Sequence, residues 1–442
     1  MIPIPCKMVW RSRTINLVRV LIFLMIALAS PFVRAQTVAF TNATVETLTD
    51  QGRLEDATIL IRGDKIIAVG TDVTIPGDAK VISLKGQTVL PGIIDPYLVF
   101  QRATQSAEVT ETVTFGGRSF QVPADRGFNA GSFDTISQHF YPQTFDFSSA
   151  IRSGITTANL VSDGRGLSAY ADMMTAPNSE MLFQPSGLLF ARVTNETAAL
   201  DVIRTPLAPR SNRGGTGGSS TGGRAEGASG PGSNEPRNSD NASTSASNSN
   251  IASNSTADST QARWDAVREG KQTLIVNANN AAAVAHLLMF LDNNPKVKVG
   301  LVVTGPNVYE SLDKIRGSNI TLILKPELAT EPFSSRVINV PKMAADRDVP
   351  FAFSLTVGAS QLQNNLDEPL FPLAALMKSG LSGQKALEAL IVKPAEILGI
   401  EEQYGSIESE KYANLIIFAG DPLVNGSRLK QVIVKGSTIY EN

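Results

Sequence analysis

From Gly154 to Leu398, short apolar runs alternate with helical patterns, and this alternation limits the fold more than any other feature of the chain. The runs at 154–161, 187–193, 273–276, 297–303, 320–324 and 350–354 are of strand length and rich in Val, Ile, Leu and Phe. Between and after them lie helical patterns, among them 281–291 and 382–398, the latter with Ser382 as N-cap and Gly399 ending it. Strand and helix repeated in this order imply an α/β protein with the rhythm of a parallel barrel.

Both ends of the chain read as β-structure instead. Residues 37–45 open a set of short strands. Asp56 to Arg62 alternates at period two, meets the turn pair Gly63-Asp64, and returns along Lys65 to Val69, stopped by Gly70. Residues 81–84 and 88–90 complete this unit, and 405–408, 413–418, 420–423 and 431–436 give the C-terminal end a matching set.

Two stretches break the rhythm. Residues 100–150 form a long excursion with a hairpin expected at Gly116-Gly117. Residues 209–260 are dominated by Ser, Gly and Asn and hold too little apolar surface to order themselves, so they read as a disordered linker. This linker falls where a fourth barrel strand is due, and no strand can be placed there.

Residues 1–36 stand apart. Lys7, Arg11, Arg13 and Arg19 precede an apolar run from Val20 to Ala29, and Val33-Arg34-Ala35 fits a small-residue cleavage rule. This reads as a secretory signal peptide cut after Ala35, with an N-terminal membrane anchor as the alternative. The run is short for a bilayer span, which takes about 20 apolar residues. The location expected is periplasmic or secreted. The formal net charge is −2, and loss of a leader with five basic and no acidic residues makes the remainder more acidic. Such a chain is no nucleic-acid binder by charge. Its one cysteine, Cys6, lies in the leader, so the mature chain has no disulfide, thiolate site or cysteine nucleophile.

One stretch carries a motif: Val89-Leu90-Pro91-Gly92-Ile93-Ile94-Asp95-Pro96-Tyr97-Leu98-Val99-Phe100. It resembles the Pro-Gly-apolar-Ile-Asp-x-His-x-His run that opens the barrel of the amidohydrolase superfamily. Lys393-Pro394-Ala395, Leu398-Gly399 and the C-terminal strands resemble that family's closing segments in order, with Asn414 where the family usually has aspartate. The resemblance covers 37–208 and 261–442 and is nearest to the imidazolonepropionase-related branch, whose active members hydrolyse non-peptide carbon–nitrogen bonds in cyclic amides or in dipeptides. It implies a distorted or incomplete TIM-like (β/α)8 barrel. Beside it stands a small composite β-sandwich built from both chain ends. The units implied are 37–90 and 404–442 for the sandwich, and 91–208 and 261–403 for the barrel.

The family's chemistry rests on zinc or another divalent metal, which lowers the pKa of bound water to about 7 and polarises the substrate. Its ligands project from the C-terminal ends of barrel strands. By the resemblance, the two strand-one histidines fall on Tyr97 and Val99. The strand-five histidine falls on Asn277, the strand-six histidine on Thr304 or Gly305, and the strand-eight aspartate on Thr356. The strand-four bridge has no counterpart. Valine has no donor atom, and a phenol with a pKa near 10 is a poor ligand at neutral pH. A family site takes three or four histidines, and this chain has only His139 and His286. No cofactor is therefore expected.

A rebuilt site is the alternative. His139 lies in the excursion after strand one, where Asp134, Asp146 or Asp163 can accompany it, and Asp95 keeps the family's aspartate. Against this, a surface loop accounts for His139, accepted backbone hydrogen bonds account for Asp95, and helix packing accounts for His286. Asp163-Gly-Arg-Gly166 is a weak signal, and no Gly-x-Ser-x-Gly elbow, Walker loop or dinucleotide fingerprint appears. The expectation is a non-catalytic binding or partner subunit, as a homo-oligomer or beside an active amidohydrolase relative. The alternative is a hydrolase drawing on His139, Asp95 and Asp163.

Overall fold

The computed structural model describes residues 36–99, 110–115, 118–123, 134–142, 146–162, 165–176, 178–193, 203–207, 260–304, 308–357, 368–424 and 426–442. The leader, the Gly116-Gly117 turn and residues 209–259 of the expected linker lie outside them.

Period-two alternation sets the register of the first sheet. Arg53–Arg62 pairs antiparallel with Thr37–Glu46 and, through Gly63-Asp64, with Lys65–Gly70. Thr88–Pro91 lies parallel to Thr37–Glu46 on one side and antiparallel to Leu415–Phe418 on the other, with Leu90 opposite Ile416. Leu429–Val434 and Ser437–Glu441 extend the order outward. Strand pairing thus joins the two chain ends in one eight-stranded sheet. Phe40, Ile59, Ile66, Val89, Leu415 and Ile433 make its own buried core.

The middle of the chain forms a second body. Leu189–Val193, Thr273–Ala278, Lys298–Val303, Ile320–Leu324 and Phe351–Phe353 run parallel, each laddered to the next. Ile93–Val99 and Ile155–Val161 form a separate parallel pair. The pair belongs to a four-stranded sheet and the arc to a seven-stranded one, and among the described residues their ladders do not join into a closed barrel. Leu189–Val193 pairs directly with Thr273–Ala278, Phe190 opposite Ile275, so no fourth strand stands between them. Short antiparallel strands, Arg165–Leu167 and Ala169–Asp172, fill the interval after Ile155–Val161.

Helices cover the arc where the sequence expects them. Asn280 caps Ala281–Asp292, its side chain accepting from Ala283 N at 2.8 Å, and Ala283, Val284, Leu287, Phe290 and Leu291 form its buried face. Full burial of each such large apolar side chain contributes about 1.5–3 kcal/mol. The expected helix at 382–398 is interrupted: Gly383–Leu387 passes through a π-helical turn, Glu388–Val392, into Lys393–Leu398. Pro394 has no N–H to donate four residues back, and a widened turn ahead of it accommodates that loss. Ser382 is the N-cap, and Gly399 ends the helix at φ 68°. Thr110–Phe115 and Arg118–Pro123 pair antiparallel on either side of Gly116-Gly117, as the turn pair predicts.

The Pro-Gly corner joins the two bodies. A Cβ at Gly92 would collide with the Thr156 side chain, and Gly92 N donates to Asn414 O at 2.8 Å. This turns the chain from the end sheet into Ile93–Val99. Among the described residues no helix is long and apolar enough to cross a membrane.

Candidate functional site

Parallel strands bring their C-terminal ends to one side, and that side collects the residues singled out above. Tyr97 and Val99 end the first strand, Asn277 lies near the end of Thr273–Ala278, Thr304 follows Lys298–Val303, and Ser354 to Thr356 follow Phe351–Phe353. Tyr97 and Asn277 are buried, at 5% and 8% exposure, and Thr304 is exposed.

Four of the five substituted positions are joined by hydrogen bonds. Asn277 Nδ2 donates to the Tyr97 phenol oxygen at 2.9 Å, and Thr304 Oγ1 donates to Asn277 Oδ1 at 3.4 Å. The Thr356 hydroxyl lies 2.8 Å from Tyr97 O and 3.2 Å from Asp95 Oδ2, its single proton serving both acceptors. Val99 takes no part and packs, half-buried, against the core.

Asp95 sits below this group with both oxygens engaged. Tyr97 N (2.9 Å) and Ser354 Oγ (2.7 Å) donate to Oδ1, and Leu355 N (3.0 Å) donates to Oδ2. Burial pushes the carboxyl above its ordinary range, and the donors from Ser354, Tyr97, Thr356 and Leu355 pull against that shift. No positively charged group is among these partners. Ser354, the closest of them, carried no signal in the sequence, because its role depends on a partner more than 250 positions earlier.

The donor set at these positions is a phenol already bonded to an amide, two aliphatic hydroxyls and a valine. Divalent metals of the expected kind need imidazole, carboxylate or thiolate ligands, so these residues do not fit one. Among the described residues no three His, Cys, Asp or Glu side chains come together as a metal site.

The remaining candidates fall elsewhere. His139 ends the short turn Ile136–His139, and Asp134 begins the strand Asp134–Thr135; the side chains of both lie outside the described residues, as does all of Asp163 and Gly305. Asp146 is exposed and accepts from Ser148 N at 2.8 Å, and the Ser148 hydroxyl and N–H hold its carboxyl below the usual range. His286 is half-buried on Ala281–Asp292.

A second polar cluster, of which the sequence marked only Asn414, lies at the joint of the two bodies. Asp172 is 1% exposed and accepts from Thr157 Oγ1 (2.9 Å), Tyr404 OH (3.1 Å) and Lys435 Nζ (2.7 Å). Lys435 Nζ also lies 4.9 Å from the Tyr412 ring centroid, and Lys65 Nζ stands 3.5 Å over that ring. Asn414 completes the joint: its Oδ1 accepts from Lys435 N at 2.8 Å and its Nδ2 donates to Thr157 Oγ1 at 3.1 Å. Burial, then the Asp172 charge, pushes the Tyr404 phenol up.

No family model and no curated protein matches the chain. Solved structures do. An amidohydrolase from Thermotoga maritima MSB8 superposes with a TM-score of 0.63 at 16% identity, covering 92% of this chain and 100% of that one. A triazine hydrolase variant gives 0.53 at 18% identity, covering 92% and 95%. A mutant of atrazine chlorohydrolase from Arthrobacter aurescens TC1, complexed with zinc and atraton, gives 0.51 at 18% identity with the same coverage. At these identities the likeness is one of fold.

Proposed function

We propose that this chain, which carries the amidohydrolase fold, is an exported member of the imidazolonepropionase-related branch that has lost its metal ligands and serves as a non-catalytic binding or partner subunit. In this reading the parallel arc and the Ile93–Val99 pair are an incomplete TIM-like barrel, and the sheet from the chain ends is its composite β-sandwich. Residues 209–260 are a linker between 91–208 and 261–403. Residues 1–36 are a leader that delivers the rest to the periplasm or the exterior.

The observation that carries the reading is the 2.9 Å bond between Tyr97 and Asn277. By the resemblance, these are positions from which strands one and five would reach a shared metal, and here their side chains reach each other. The alternative, a hydrolase rebuilt on His139, Asp95 and Asp163, gains nothing from Asp95, whose oxygens already hold four donors.

Metal analysis of the purified mature protein tests the proposal, together with assays on cyclic amides and dipeptides. The expected result is substoichiometric metal and no turnover after loading with zinc, iron or manganese. Near-stoichiometric metal whose removal by a chelator abolishes a hydrolytic activity would overturn it.

A further inference from the structure

Tyr97 and Asn277 come from strands that are neighbours in no sheet. Among the described residues, Ile93–Val99 is an edge strand of the four-stranded sheet and is laddered only to Ile155–Val161. Thr273–Ala278 lies inside the seven-stranded sheet, between Leu189–Val193 and Lys298–Val303. Their bond therefore crosses between the sheets and follows no ladder. Tyr97 is tied at its backbone as well. Its N–H donates to Asp95, and its carbonyl accepts from Thr356, which follows the edge strand Phe351–Phe353. One residue of the first sheet thus reaches two separate strands of the second.

We infer that Tyr97 and Asn277 form an internal cross-brace that fastens the two sheets together where no ladder joins them. Both side chains are uncharged, so the brace avoids the large desolvation penalty of a buried ion pair. Both are nearly sealed from solvent, so breaking this bond loses a hydrogen bond that water cannot readily replace. The interior between the two strands is filled by the protein's own phenol, and closure at this point needs no ion. The last statement rests on the proposed loss of the metal ligands. The brace itself rests only on the geometry.

A double-mutant cycle on the full chain tests it. Tyr97→Phe removes the one oxygen, and Asn277→Ala removes its donor. Each single variant is expected to lower the folding equilibrium constant roughly tenfold, and the double variant to be little worse than the weaker single. Losses that simply multiply would overturn the brace. If Asn277→Ala does not fold, hydrogen exchange on Tyr97→Phe decides. Faster exchange in both 93–99 and 273–278 supports the brace, and faster exchange confined to 93–99 overturns it. Zinc is the separate control. A zinc-dependent rise in the wild-type unfolding midpoint would sink the metal-free reading, whereas the cycle alone decides the brace.

Discussion

The Ser354 hydroxyl donates to the Asp95 carboxylate at 2.7 Å, and with this bond the outer strand of the seven-stranded sheet is held to the edge strand of the four-stranded one. Leu355 N and Thr356 Oγ1 add to the same hold, so a single side chain acts along a seam that has no backbone ladder among the described residues. Asp95→Ala removes the acceptor shared by two backbone N–H groups and the buried Ser354 hydroxyl, and is expected to lose about 3 kcal/mol of stability, read from urea unfolding.

The same carboxyl sets a pH dependence. Burial raises its folded pKa above the unfolded value of about 3.9. The folded state therefore holds the proton more tightly. Its contribution is full below about pH 4 and is lost as pH rises through the raised folded value. Unfolding midpoints measured upward from pH 4 should show this decline. Asp95→Asn, which cannot titrate, should flatten it; an identical slope in that variant would exclude Asp95 as its source.

At the joint of the two bodies, Lys435 is, among the described residues, the one cation on the Asp172 carboxylate, which is 1% exposed. Lys435→Met keeps an unbranched side chain of similar length but removes the ammonium, leaving the buried Asp172 with neutral donors among the described residues. The expected loss is about 3 kcal/mol. Asp172→Asn added to Lys435→Met should recover part of it, measured as a coupling between the two positions.

Asn414 faces that carboxylate, its Nδ2 lying 3.5 Å from Asp172 Oδ1. Asn414→Asp exchanges this donor for a second acid and removes the bond to Thr157. We expect a loss of about 3 kcal/mol at neutral pH. The pairing of like charges raises the new carboxyl's folded pKa, so the deficit should shrink as pH falls through that raised value and be smallest below about pH 4. A pH-independent deficit would assign the effect to the lost hydrogen bonds alone.

Arg268 holds together the banks of the Ser-, Gly- and Asn-rich segment. It lies in the helical residues 260–268 and donates to Leu207 O at 3.2 Å and Pro206 O at 3.0 Å, at the end of the helical residues 203–207. Ile203, Leu207, Trp264 and Val267 pack the two banks into the core. Replacing 210–257 with a short Gly/Ser linker should leave the unfolding midpoint nearly unchanged. Arg268→Ala should lower stability by about 1–2 kcal/mol, and thermal unfolding of the two variants compares them directly.

Strands were the legible part of this fold. Thr273–Ala278, Lys298–Val303 and Ile320–Leu324 lie where their apolar runs place them, because a strand buried on both faces writes itself into composition. Leu189–Val193 was legible as a strand, but its ladder to Thr273–Ala278 was not, since the pairing spans a long segment with no apolar period. Tyr97, Asn277 and Thr356 could be named from one motif and its resemblance. That they bond to one another is a property of three-dimensional closure, and Ser354, Asp172 and Lys435 have no sequence neighbour that announces them.

Leu90 pairs with Ile416 across the middle of the sheet built from both ends. On a ribosome, Thr88–Pro91 can pair early with Thr37–Glu46 on one side but waits for Leu415–Phe418 to be made before its second partner exists. Contacts of such long sequence separation slow folding and expose an open edge to aggregation in the interim. A chain stopped short of Leu415 keeps that edge bare, so this sheet is completed only after Leu415–Phe418 has been made.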